Sequence, residues 1–170
     1  WGQDNIIETG LCLEIVRNLL SLGYEITLRP HSALSLYQPE KLRPFLSVSS
    51  PLFNIENFSH SQALFTSGIL ITDYSGIYFE YYSICPRKII FVETPKKIFN
   101  EQFSCYDLPL VEVEARSSLG SVVSASLKEV IAAVGQKYMD IHSPLDEQIF
   151  YNTGGCSKMV VKQIKELLAC

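Results

Sequence analysis

The sequence predicts an α/β domain, a Rossmann-like parallel sheet with helices on both faces. Three observations carry this. Short β-rich apolar runs alternate with segments of helical period. The run Ile69 to Thr72 is apolar on both faces, as a buried parallel strand is. That run then empties into the polar turn Asp73-Tyr74-Ser75-Gly76 and a helix start, the junction at which open α/β sheets bind ligands.

The elements follow in order. Over residues 8–22, Leu11, Ile15, Leu19 and Leu22 share one face with Ile7, and Gly23 supplies the stop. Tyr24 to Leu28 reads as a strand closed by Arg29-Pro30, because proline cannot continue a central strand. Residues 38–45 form a candidate short helix, Leu52 to Ile55 an edge strand, and Ser59 to Phe65 a brief helix leading into strand 69–72. A helix over 76–84 and a strand over 88–92 come next, and Leu110 to Val113 reads as a last short strand. Ser126 and Glu129 form a capping box for a helix over 126–134. A terminal helix runs from about Ser157 to Leu168, and residues 93–108 and 135–155 read as irregular loops.

Composition bounds the function. With 170 residues, 47% of them hydrophobic, the chain fills one substantial core, and we read one domain. A formal net charge of −4 supplies no basic field for nucleic acid or an anionic membrane surface. The five cysteines, Cys12, Cys85, Cys105, Cys156 and Cys170, show no C-x-x-C spacing and read as reduced thiols. No metal and no cofactor are expected. No segment approaches the roughly 18 uninterrupted apolar residues of a membrane helix, and no secretion signal opens the chain, so a cytoplasmic protein is expected.

The candidate site is a phosphate cradle. Ser75 can cap the helix or donate to a phosphate oxygen, Gly76 admits a ligand to the backbone, and helix N-termini favour anions. Gly76, Glu80 and Ser83 share a narrow polar face on which Glu80 can accept from ribose hydroxyls. The plainer alternative makes Ser75 a cap and Glu80 a complement to the helix dipole. His31, just past a strand's carboxyl end, can donate to a pyrophosphate oxygen or sit as an exposed loop histidine. Arg29 points either into the sheet or toward the ligand. His60 and His142 match no motif.

The segments "LITDYSGIYFEY" (Leu70 to Tyr81), "RKIIFVE" (Arg87 to Glu93) and "LRPH" (Leu28 to His31) resemble the CDP-glycerol glycerophosphotransferase family, the enzymes of teichoic-acid-type poly(glycerol phosphate) synthesis. "WGQD" (Trp1 to Asp4) is similar to the end of that family's strand-exit motif, and "FYNTGGCSKMVVKQI" (Phe150 to Ile164) to its closing segment. The resemblance implies the C-terminal, donor-binding half of a GT-B-like enzyme, with the acceptor half missing, so that the isolated domain binds its donor without turnover. It implies that Arg29, His31, Thr72, Asp73, Tyr74, Ser75, Gly76 and Glu80 contact a CDP-glycerol-type donor, with His31 as the candidate catalytic residue. It also implies work at the inner face of the cell membrane, although no membrane contact is visible in the chain.

The chain departs from the family pattern at Ser32, Gly76, Thr153-Gly154 and Met159, where proline, serine, Asp-Gly and arginine are usual. Two alternatives stand beside this reading. One is the nucleotide-sugar half of a GT-B glycosyltransferase for a surface polysaccharide. The other is a non-enzymatic receiver-like signalling domain with Asp73 as phospho-acceptor, for which only Asp4 stands near the first strand exit.

Overall fold

The computed structural model describes residues 4–56, 62–84, 87–95, 102, 105, 111–138 and 154–168. Residues 1–139 form one compact unit and residues 140–170 a second. The first unit is a Rossmann-like α/β arrangement of parallel sheets flanked by helices. His60, Cys85, His142, Thr153 and Cys170 lie outside the described residues, as does most of both expected loops.

The first helix, α1 (Leu11–Ser21), begins three residues later than its periodicity suggests. Asn5 is the reason: its buried Oδ1 accepts from the N–H groups of Ile7 and Glu8, closing a turn that competes with the helix. Gly10, at φ +81°, then redirects the chain into α1. Leu11, Ile15 and Leu19 are buried as their spacing requires, whereas Leu22, past the helix end, is exposed.

Strand β1 (Ile26–Leu28) leads through His31 into α2 (Ser32–Tyr37), a helix absent from the sequence reading. A 3-10 turn (Pro39–Leu42) and α3 (Arg43–Leu46) occupy the expected 38–45 helix. Strand β2 (Phe53–Ile55) pairs in parallel with β1, Ile26 opposite Phe53. After α4 (Gln62–Thr66), strand β3 (Ile69–Thr72) leads through the Asp73–Gly76 turn into α5 (Ile77–Ile84). Strand β4 (Lys88–Glu93) pairs in parallel with β3 on one side and with β5 (Ser121–Ser124) on the other.

Two sequence expectations are corrected here. Residues 110–113 do not form the last strand: Val111 opens a helix, α6 (Val111–Leu119), and β5 follows it. The alternation of Val111 and Val113 suggests a strand, but Ala115 and Leu119, one helical turn apart, bury a helical face. The capping box of α7 (Leu127–Gly135) also differs. Ser126 makes no side-chain cap bond, and Glu129 reaches past it to accept from the Ser124 N–H at 3.0 Å.

The core has two connected parts with α1 across both. Leu11, Ile15 and Leu19 pack with Ile90, Val92, Val130 and Val134, and with Ile69 and Ile71 at the edge. Cys12 and Val16, one position round the helix, pack with Phe45, Leu28, Phe53 and Ile55. Ile6 and Ile26 touch both parts. In the second unit, α8 (Cys156–Leu168) starts one residue before its expected position and carries a Lys162–Glu166 ion pair at 3.9 Å across one turn.

Burial, and secondarily the negative charge of Asp73, pushes the Cys12 thiol up to about 12 from 9.0. A raised acid holds its proton in the folded protein while the unfolded chain releases it. The stabilisation is therefore complete below pH 9 and is lost as pH rises toward 12. Thiol labelling at pH 8 should modify the exposed Cys105 and Cys156 quickly and Cys12 only on unfolding. Labelling of Cys12 in the native protein at the rate of Cys156 would contradict this burial.

Candidate functional site

The segments 28–31 and 70–76 each leave the carboxyl end of a parallel strand. Strand β1 returns along α1, so its carboxyl end lies toward the start of that helix. The segment entering α1 is in turn tied to the carboxyl end of β3, because Asp73 Oδ2 accepts from the Ile6 N–H at 3.4 Å. The strands that lead to His31 and to the turn at 73–76 belong to different sheets.

The turn is held by its own backbone. The Ser75 N–H donates to the Asp73 carbonyl at 3.1 Å, and Ser75 Oγ accepts from the Ile77 N–H at 3.4 Å. Helix α5 starts at Ile77, so Ser75 stands one residue before the N-cap position and its capping bond is long. Gly76 is exposed, and a Cβ there would meet no atom within 4 Å. The fold therefore does not demand glycine at 76, and the space beside the helix start is open. Helix α5 buries Tyr78, Tyr81 and Tyr82 and exposes Glu80 and Ser83, as the polar-face reading expects.

His31 is exposed at the N-cap of α2, where Nδ1 accepts from the Ala33 N–H at 3.1 Å. With Nδ1 accepting, the neutral ring carries its proton on Nε2, the donor a phosphate oxygen would use. Arg29 is half-buried and Thr72 buried at the ends of their strands. Asp73 reaches toward Ile6 and raises the Cys12 thiol, so its carboxylate also joins the turn to the start of α1.

Arg116 is the residue that sequence reasoning misses. It is buried on α6, donates from Nη2 to the Val92 carbonyl at 3.2 Å, and lays its guanidinium 4.5 Å from the Tyr74 ring centroid. It thereby clamps the turn to the end of β4 by a cation–π contact. Its signal was hidden because residues 110–113 resemble a strand, which leaves Arg116 in no helix.

A cleft of about 420 Å³ opens at the ends of β4 and β5, lined by Thr94, Pro95 and Leu127 with the carboxylates of Asp4 and Glu14. None of the sequence-predicted site residues is among the described residues lining it. Among the described residues, no group of three or more His, Cys, Asp or Glu side chains could hold a metal ion, and no helix is long and apolar enough to cross a membrane. Compared with protein-family models, curated proteins and solved structures, the chain matches none.

Proposed function

We propose that this chain is the donor-binding domain of a CDP-glycerol-type glycerophosphotransferase acting in teichoic-acid or related cell-surface polymer synthesis. What supports the reading is that "LRPH" and "LITDYSG", far apart in sequence, both follow parallel strands, with the turn after the second tied to the segment that enters α1. A pyrophosphate between them would take hydrogen bonds from His31 Nε2, Ser75 Oγ and the first N–H groups of α5, which concentrate positive potential on it. In the transfer, an acceptor hydroxyl oxygen bonds to the β-phosphorus. The bond from that phosphorus to the bridging oxygen breaks, and CMP leaves with the electron pair. Donors fixed on the pyrophosphate stabilise the charge that CMP gains, as in other phosphoryl transfers. The acceptor and the base that takes its proton belong to the half this domain would complement, where the full enzyme works at the inner membrane face.

Ser75→Ala tests the cradle. CDP affinity should fall about fivefold, the equivalent of roughly 1 kcal/mol. The melting temperature should hardly move, since the capping bond it loses is 3.4 Å long. A variant that binds CDP as tightly as the parent would make Ser75 a turn residue with no part in binding.

A further inference from the structure

We propose that Arg116 supplies the fixed positive charge of an oxyanion site at the 73–76 turn, acting through space from its place against the Tyr74 ring. The ligand class is a multiply charged phosphate such as a pyrophosphate. The inference rests on the reading that this turn receives a phosphate, and it assigns to that site a charge from outside both signature segments.

Arginine is seldom buried without an anionic partner, because taking its charge out of water is costly unless a carboxylate or several acceptors meet it. Arg116 is 3% exposed. Among the described residues no carboxylate pairs with it; its guanidinium donates one hydrogen bond, to the Val92 carbonyl, and its Nε has no partner. The ring centroids of Tyr74 and Phe91 lie 4.5 and 5.1 Å from the guanidinium carbon. Aromatic faces attract a cation without neutralising it. Lys88, also a buried cation, shows the contrast: its ammonium donates to two carbonyls at the end of α7, where the helix dipole is negative. The fold answers the charge of Lys88 and leaves that of Arg116 largely unanswered.

The turn against which that charge rests is open to a ligand. Ser75 and Gly76 lead from Tyr74 into α5, at the positive end of its dipole, and a Cβ at Gly76 would meet nothing within 4 Å. Two carboxylates oppose an anion there. Asp73 belongs to the turn and directs its carboxylate to the Ile6 N–H, and Glu80 stands in the first turn of α5. A bound oxyanion needs a cation close by to offset them, and Arg116 is a buried cation in contact with the turn. Over a separation of about 10 Å, with an effective dielectric constant of about 20 and physiological salt, one fixed charge changes the affinity for a doubly charged anion about tenfold.

The test titrates the full chain with inorganic pyrophosphate and follows amide and arginine Nε–H resonances. In the parent, shifts at Ser75, Gly76 and Ile77 should saturate, and the Arg116 Nε–H resonance should move with the same affinity. Arg116→Met keeps an apolar side chain of similar length against the rings and removes the charge. It should bind pyrophosphate about tenfold more weakly while melting close to the parent, because replacing an unpaired buried cation by an apolar group is near neutral. Arg116→Lys restores the charge and should bind within about threefold of the parent; a purely structural arginine would make lysine no better than methionine. Equal affinity in the parent and Arg116→Met, no rescue by lysine, or no pyrophosphate binding at the turn of the parent would overturn the proposal. If the methionine variant does not fold, the parent decides: shifts at residues 75–77 with a stationary Arg116 Nε–H resonance would overturn it. A parallel titration with CDP separates this inference from the nucleotide reading. Arg116-dependent binding of pyrophosphate with no response to CDP supports the anion site and removes the nucleotide, whereas CDP binding that Arg116→Met leaves unchanged removes Arg116 and keeps the nucleotide.

Discussion

Gly120→Ala is expected to destabilise the protein by about 3 kcal/mol, at the upper end for overpacking. Gly120 joins α6 to β5 and passes directly over β4. An added Cβ would overlap the Ile89 carbonyl oxygen and come within 3.0 Å of Ile89 C and Cβ. The neighbour cannot give way, because Ile89 is 1% exposed and β4 is held by ladders on both sides. Gly135→Ala is the control: a Cβ at 135 meets nothing within 4 Å, and alanine near the end of α7 should be neutral or stabilising by up to about 1 kcal/mol. Urea midpoints compared at constant slope measure both, and equal midpoints would show that β4 can move away from residue 120.

Lys88→Met is the second large effect, expected to cost about 3 kcal/mol. Lys88 is a buried cation at the start of β4 whose Nζ donates to the carbonyls of Val134 and Gln136 at 2.8 and 2.5 Å. Those carbonyls belong to the end of α7, where helix geometry leaves acceptors without intrahelical partners. One side chain thus fastens the helix end to the sheet, and methionine, which matches its length, removes both bonds and leaves the acceptors without this donor. Burial lowers the Lys88 amine pKa, the cost that the two carbonyls offset. A Lys88→Met variant that unfolds at the parent's urea concentration would show that the two bonds contribute little.

The strands that form the floor of the site were legible because their sequences state their environment. Ile69 to Thr72 carries no charge, Gly68 precedes it and a polar turn follows, and the strand has the expected limits. Lys88 to Val92 extends by one residue to Glu93. Strand β5 was not legible: Ser-Val-Val-Ser is short, polar at both ends and preceded by a helix that begins with alternating valines. The helix at 32–37 escaped because its N-cap is a histidine, and imidazole is a less familiar cap than Ser or Asp. Within the site, local chemistry singled out Ser75, Gly76 and the exposed face of Glu80. Contacts between distant segments did not show in the sequence. The Ile6–Asp73 bond and the Arg116–Tyr74 stack depend on how α1 and α6 meet the strand ends, which no local pattern encodes.

Titration of the chain with CDP-glycerol, CDP, UDP and GDP, followed by backbone amide shifts, tests the central claim most directly. The account predicts tighter binding of CDP-glycerol and CDP than of UDP or GDP, with the largest shifts at His31, Ser75, Gly76 and Ile77. Preference for UDP or GDP with the same residues shifted would move the domain to the nucleotide-sugar transferases. No response to any of the four, or shifts that leave the 73–77 turn untouched, would contradict the account.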